Sequence, residues 1–498
     1  MGRIRWSAPV QAVVAVGLGC AFSVQAAVPV LNHLFPAGAG PGSSNTIQLS
    51  GKFEPWPTEF WVEGKDVSFK ASTEAGRVAV EVASDAIPGV RWVRAFNAEG
   101  ASEPRLFVIG ASTELVDAEP NDAFGSPQAV GSLPATINGR LDKRGDVDSF
   151  GLNLCAGEWL DARMEAYTLM SQVDGVLRLV TTNGQSLAWN HDSLALDPRL
   201  AWRSPVDQTV VVQAYGFKYP ADSSIQLTGG EGAVYRLHLR KGFDAPDGPL
   251  PIPATNTVAE PPALLRGVLA TDDVENFHGF RAVKDRLHTL RLAAQSLGAP
   301  WDAQIRILDG DGKELAGNDD LDGTSDPGLD WRAPADGVYR VGVRSRTRRG
   351  DADCRYELAI AAASPAFRAT VASTSWTVTC GATQDVKVAV TRMNGFTNEL
   401  RISFEQLPEG LASEPATCPS GSGEAALRLV AAPQAPVIST PVALVAEVAH
   451  SGERQVVGSD LVSRGMNNGV PQGYSRLLRE SIESLWLTVR PAPEPAKP

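Results

Sequence analysis

The chain is 498 residues long, carries a formal charge of −12, and is 43% hydrophobic. Its length exceeds what one core can serve and predicts about three to four domains. The acidity, with no basic block anywhere, excludes a nucleic-acid surface built on clustered Lys and Arg, and the 47 Gly and 35 Pro favour turns and short strands over long helices.

The N-terminus reads as an export signal. Arg3 and Arg5 form a basic start, Val10 to Phe22 is apolar, and Val24-Gln25-Ala26 offers small residues at cleavage spacing, so residues 1–26 are expected to be removed. Cys20 raises a lipoprotein alternative, but Gly17-Leu18-Gly19 before it lacks Leu at the expected place. No later apolar run is long enough to span a bilayer, so the expectation is a secreted, periplasmic or cell-surface protein without a transmembrane segment.

Residues 27–112 carry alternating runs at Thr46–Ser50, Arg77–Val82 and Arg105–Ile109, which predict an immunoglobulin-like sandwich. Trp56, Trp61 and Trp92 in this segment are read as core. Next come two copies of one unit. Gly139-Arg-Leu141 matches Gly267-Val-Leu269, and Asp146-Val-Asp148-Ser-Phe150 is laid over Asp273-Val-Glu275-Asn-Phe277. Asp174 matches Asp302, Asp197-Pro198 matches Asp326-Pro327, Trp202 matches Trp331, and Tyr235 matches Tyr356. The unit is far longer than a solenoid repeat, so each copy, 113–241 and 252–363, is expected to be a whole domain. Alternation at Val234–Leu239, Asp302–Leu308 and Gly337–Val343 makes both copies β-sandwiches of about eight strands. A Pro-rich stretch from Gly242 to Pro262 supplies the linker, residues 242–251. Residues 364–490 carry further alternating runs, among them Asp385–Val390, Leu400–Phe404 and Leu485–Val489, and predict a second immunoglobulin-like sandwich, with a short helix at Tyr474–Ile482. The Pro-rich tail 491–498 is expected to be disordered. The fold class is therefore all-β, a tandem array of four sandwiches.

Export permits disulfides. Cys380 and Cys418 fall in one expected domain and are expected to pair, closing a loop of about 39 residues and stabilising by about 4 kcal/mol on the chain-entropy view. Cys155 and Cys354 fall in different repeats and either stay free, the favoured reading, or bridge two domains.

Each repeat resembles the bacterial pre-peptidase C-terminal (PPC) domain. The resemblance rests on Glu119-Pro-Asn-Asp122, Gly145-Asp-Val-Asp-Ser-Phe150, the paired Asp-Pro-x-Leu stretches, and Asp336-Gly-Val-Tyr-Arg-Val341 followed by Tyr356, and it covers about half the chain. The first segment is similar to IPT/TIG-type immunoglobulin-like domains, more weakly. The resemblance implies a non-catalytic, jelly-roll-like sandwich, often appended to secreted proteases and related to collagen-binding domains that hold calcium at one edge. It implies a calcium site in the first repeat from Asp117, Glu119, Asn121, Asp122, Asp146 and Asp148, all oxygen donors as a hard cation wants. The bland alternative is a surface turn, since Pro, Asn and Asp all favour turns. In the second repeat Glu260-Pro-Pro lacks the Asn-Asp pair, which leaves a site there open.

Asp192, Asp197, Asp320 and Asp326 are read as turn-shaping acids that accept backbone N–H bonds. No His-Glu-x-x-His and no Gly-x-Ser-x-Gly occurs, so zinc-protease and serine-hydrolase signatures are lacking. Tyr215, Phe217 and Tyr219 sit in an insertion relative to the second repeat and are expected on a loop, as a partner contact. The expectation is a non-enzymatic binding or scaffold protein that meets an extracellular protein or polysaccharide. Alternatively, it is a substrate-binding accessory to a secreted hydrolase, or less favourably a secreted protease.

Overall fold

The computed structural model describes residues 26–492 apart from 222, 224, 243–257, 300, 322–323, 463–465, 468–469 and 472–475. The expected signal, most of the linker and most of the tail fall outside those residues. Among the described residues there is no α-helix, only strands and two 3-10 turns, Tyr167–Leu169 and Gln295–Leu297. Among the described residues no helix is long and apolar enough to cross a membrane.

The chain is a tandem array of β-sandwiches. Its alternating runs become strands because period two puts one face on a core and the other in water. Arg77–Val82 alternates strictly between exposed and buried, and so does Glu424–Ala431. Separate apolar cores gather around Ile47, Val80 and Phe107, around Phe150 and Leu237, around Phe280 and Leu358, and around Val388 and Leu487.

The first repeat is two five-stranded sheets. One runs in the order Thr113–Val116, Ala135–Arg140, Val234–Lys241, Trp159–Glu165, Arg199–Arg203. The other runs Gln128–Ala129, Asp148–Leu154, Gln208–Lys218, Val173–Thr181, Ser186–Asn190. The second repeat has the same order in both sheets, but its first sheet begins at Ala263–Val268 and has no described counterpart of Thr113–Val116.

Register corrects one sequence match. Leu177 pairs with Ala214 and with Asn190, as Ile305 pairs with Val343 and with Asn318. Asp148 then pairs with Ala214 and Asn276 with Val343. The counterpart of Asp148 is therefore Asn276, one residue on from Glu275, which the sequence match had placed there. A one-residue slip exchanges the two faces of a strand, so this moves a charge out of the second repeat's interior.

Two further expectations fail. Residues Arg476–Ile482 form a strand paired antiparallel with Gly458–Val462, where a helix was expected. Their place beside that strand adds them to the edge of a six-stranded sheet. Cys380 and Cys418 are both free. Strand Glu424–Ala431 shows why. The backbone of Gly381, next to Cys380, bonds to Ala431, while Cys418 Sγ lies against Glu424. The thiols sit at opposite ends of an eight-residue strand, roughly 20 Å apart at 3.3 Å per residue, far outside disulfide reach.

The sandwiches also pack on one another. Trp61 meets Trp486 edge-on at 5.9 Å, Arg94 donates to the Thr374 carbonyl, and Arg490 reaches the Glu99 carbonyl. Trp92, Tyr167, Tyr219 and Leu461 share one apolar cluster drawn from three sandwiches.

Candidate metal centre

Edge strand Thr113–Val116 carries the chain into the acidic segment, and a buried ion pair fixes that strand. Arg236, fully buried, donates to both Glu114 carboxylate oxygens, at 2.7 and 3.2 Å, and to Asn138 Oδ1 at 2.8 Å. The strand runs parallel to Ala135–Arg140 and delivers Asp117 through Asp122 to the start of Asp148–Leu154.

The structure brings the six expected residues together. One carboxylate oxygen from each of Asp117, Glu119 and Asp148 lies within 4.8 Å of the others, and so do those of Glu119, Asp122 and Asp146. Glu119 belongs to both trios. Asn121 donates from its amide to Asp117 at 2.6 Å, and its own N–H bonds to Glu119 at 3.0 Å. Asn121, Asp146 and Asp148 are buried, while Glu119 and Asp122 are exposed at the mouth. Three interior oxygens, Asn121 Oδ1, Asp146 Oδ1 and Asp148 Oδ1, accept no hydrogen bond. Lys143 Nζ stands 3.3 Å from Asp146 Oδ1, whereas the oxygens on Asn121 and Asp148 have no partner. Buried acceptors are otherwise nearly always satisfied, so this pocket could hold a hard cation.

Electrostatics agree. Burial pushes the Asp148 carboxyl up to about 9, with Asp117 adding to the rise. Burial takes Asp117 up to about 6 against the Asn121 hydrogen bond. Asp146 is raised by burial and by its contact with Asp122, whose own carboxyl is held low by Asp146 and Lys143. A divalent ion would offset both the burial of these charges and their mutual repulsion.

Three participants were missed by sequence reasoning. The Tyr235 hydroxyl donates to Asp148 Oδ2 at 2.5 Å, the Asp142 N–H bonds to Asp146 Oδ2 at 2.5 Å, and Lys143 Nζ reaches Asp122 at 3.0 Å. Tyr235 had a signal, since a Gly faces a Tyr in both repeats. A Cβ on Gly139 would lie 2.0 Å from Tyr235 Cζ, and one on Gly267 would lie 2.3 Å from the Tyr356 hydroxyl oxygen. Only glycine lets the ring cross the strand at that point.

In the second repeat this pocket is rebuilt without charge. Tyr356 takes the ring position of Tyr235, and Asn276 Nδ2 and His278 Nε2 stand 3.0 and 2.8 Å from its hydroxyl. Glu275 is instead bonded to Arg306, at 2.6 and 2.5 Å.

The paired Asp-Pro acids have a shared role. Asp197 accepts the N–H groups of Ala166, Tyr167 and Thr168, and Asp326 those of Ala294, Gln295 and Ser296. Each closes the 3-10 turn of its own repeat. Asp192 instead contacts His191 at 2.9 Å.

The expected aromatic loop is a strand, and one of its three aromatics is buried. Tyr215 and Phe217 lie within strand Gln208–Lys218, and Tyr219 is buried against Tyr167 in the cluster between sandwiches. A side chain that joins domains is not a free contact surface. Phe217 stays exposed at 38%, as do Phe124 at 40% and Trp189 at 68%.

The chain matches no family model and no curated protein. A solved structure that matches is that of the N-terminal eight immunoglobulin domains of Down syndrome cell adhesion molecule isoform 1.30.30. It is 10% identical over 93% of this chain and 85% of that one, with a TM-score of 0.15, a likeness too low to argue from.

Proposed function

We propose that this is an exported, non-catalytic binding or scaffold protein whose repeats are PPC-type sandwiches, the first stabilised by calcium. The observation that carries the reading is the pair of buried, unpartnered oxygens on Asn121 and Asp148, with Asp146 Oδ1 met only by Lys143, beneath Asp117, Glu119 and Asp122. The non-catalytic part draws on the histidines. Burial lowers His33 and His278 to about 4, and Ser193 Oγ donates to Asn190 rather than to neighbouring His191. The test is thermal unfolding of the chain in EDTA, in calcium, and in magnesium as control. At about 1 mM calcium and an affinity of about 0.1 mM, linkage gives about 1.4 kcal/mol, a rise of a few degrees in the transition of the first repeat. The absence of any calcium-specific rise would overturn the reading.

A second reading, a substrate-binding accessory to a secreted hydrolase, is favoured by one feature. A cleft of about 400 Å³ lies between the repeats, lined by Trp189, Asn190, Gln295, Trp301, Asp302 and Arg349, a size suited to a small ligand or chain end. Pull-down on collagen, cellulose and chitin distinguishes the readings, and loss of retention in Trp189→Ala would favour the accessory.

A further inference from the structure

The Asn-His-Asp stretch of the first repeat and the Asn-Asp-Asp stretch of the second occupy the same place but balance their charge differently. Asn190 and Asn318 hold equivalent register positions, so His191 corresponds to Asp319 and Asp192 to Asp320. Asp174 and Asp302 begin the neighbouring strands. Opposite Asp302 stands Arg346, whose N–H bonds to the Asp302 carbonyl. Its guanidinium lies 3.7 Å from the Asp302 carboxylate and contacts Asp319 directly. The second repeat therefore carries its own cation between these acids.

The first repeat does not. The residue opposite Asp174 is Phe217. The charged groups that act on Asp174 are His191, Asp192 and Asp197, with no Lys or Arg among them. Asp174 Oδ1 is shielded from solvent and accepts no hydrogen bond. It lies 3.8 Å from His191 Nε2, too far for a hydrogen bond, and the other ring nitrogen is 2.9 Å from Asp192. One donor atom from each of the three residues lies within 4.8 Å of the others. The 3.8 and 2.9 Å distances fall on different ring nitrogens, so an ion held by one of them would draw the farther carboxylate in from within 4.8 Å to the roughly 3.4 Å that separates ligand atoms around tetrahedral bonds of about 2.1 Å.

We propose that Asp174, His191 and Asp192 bind one divalent transition-metal ion of the zinc type, which replaces the internal cation that Arg346 supplies in the second repeat. An imidazole nitrogen with two carboxylates suits zinc rather than calcium, which takes oxygen ligands alone. The three side chains are 21–42% exposed, so the ion has a path from solvent. The site is separate from the oxygen-only pocket, and its fate does not depend on the calcium reading.

The experiment is calorimetric titration of the tag-free chain with zinc sulfate in excess calcium, with metal counted by mass spectrometry after desalting. One zinc per chain is expected. His191→Ala should weaken uptake by at least about tenfold. Phe217→Arg, which installs the second repeat's cation at a half-exposed position, should do the same, while Asp146→Asn should leave uptake unchanged. Circular dichroism confirms that each variant is folded. No saturable uptake, or full uptake by folded Phe217→Arg, overturns the proposal. So does an imidazole NMR titration showing His191 protonated at neutral pH in the presence of zinc, because the histidine would then itself be the cation.

Discussion

The two repeats share strand order, turn caps and a glycine-tyrosine crossing, yet they handle interior charge in opposite ways. In the first, Arg236 is buried whole against Glu114, and Asp148 is buried under Tyr235. In the second, Glu357 takes the place of Arg236 and bonds, partly in solvent, to Arg266 at the position of Asn138, and Asn276 replaces the buried acid. One scaffold thus tolerates either a neutral, self-satisfied edge or a charged edge with unpartnered buried oxygens. The strands set the backbone, and a few side chains decide whether the edge is a binding site.

The largest test of that contrast is at the ion pairs. Glu114→Ala leaves Arg236 buried without a counter-charge and should cost about 3–5 kcal/mol. Arg266→Ala, on the exposed pair, should cost about 1 kcal/mol or less. Urea unfolding of the two variants reads the difference, and equal costs would erase the contrast. Next in size, Asp197→Ala and Asp326→Ala each strand three backbone N–H groups and should each lose about 3 kcal/mol. Here the repeats should behave alike.

Asp148→Asn turns the first pocket towards the second. It should abolish the calcium response and raise the melting temperature in EDTA at pH 8, since a carboxyl ionised in the unfolded chain no longer has to take up a proton to be buried. The pH dependence follows from the raised carboxyls. Their contribution to the metal-free fold is complete below the ordinary carboxylate value of about 3.9 and is lost as pH rises through about 6 for Asp117 and about 9 for Asp148. Melting in EDTA should therefore fall between pH 5 and pH 8, and calcium, which holds the ionised form, should stabilise more at pH 8 than at pH 5. The smallest expected effect is that of reductant. With Cys380 and Cys418 free, dithiothreitol should leave melting unchanged, and thiol titration of the denatured chain should count both.

Alternation made most strands legible. Leu400–Phe404 falls where its pattern ends, and Arg77–Val82 likewise. The acidic site was legible as a set of residues because its donors cluster in two short runs. Its partners were not, because Tyr235 lies 87 positions from Asp148 and meets it only through strand pairing. The slip that matched Asp148 to Glu275 came from laying recurring acids over one another, Asp146-Val-Asp148 on Asp273-Val-Glu275, where composition gives no register. The disulfide expectation failed because loop entropy counts residues but not direction. Tyr219 looked like a surface aromatic because sequence shows which residues are apolar, but not which sandwich will cover them.

The contact between the first and last sandwiches has a mechanical consequence. Gly100 sits with Val28 on one side and Thr488 on the other, so a Cβ there would lie 3.3 Å from the Val28 side chain and 3.9 Å from Thr488 Oγ1. The start and finish of the folded body are neighbours. Held by either end, such a chain adds almost no reach between its two attachment points, however many sandwiches it contains. Tension applied between the ends would first shear the contacts of Trp61, Glu99 and Arg490, and only then lengthen the molecule by letting the array unroll.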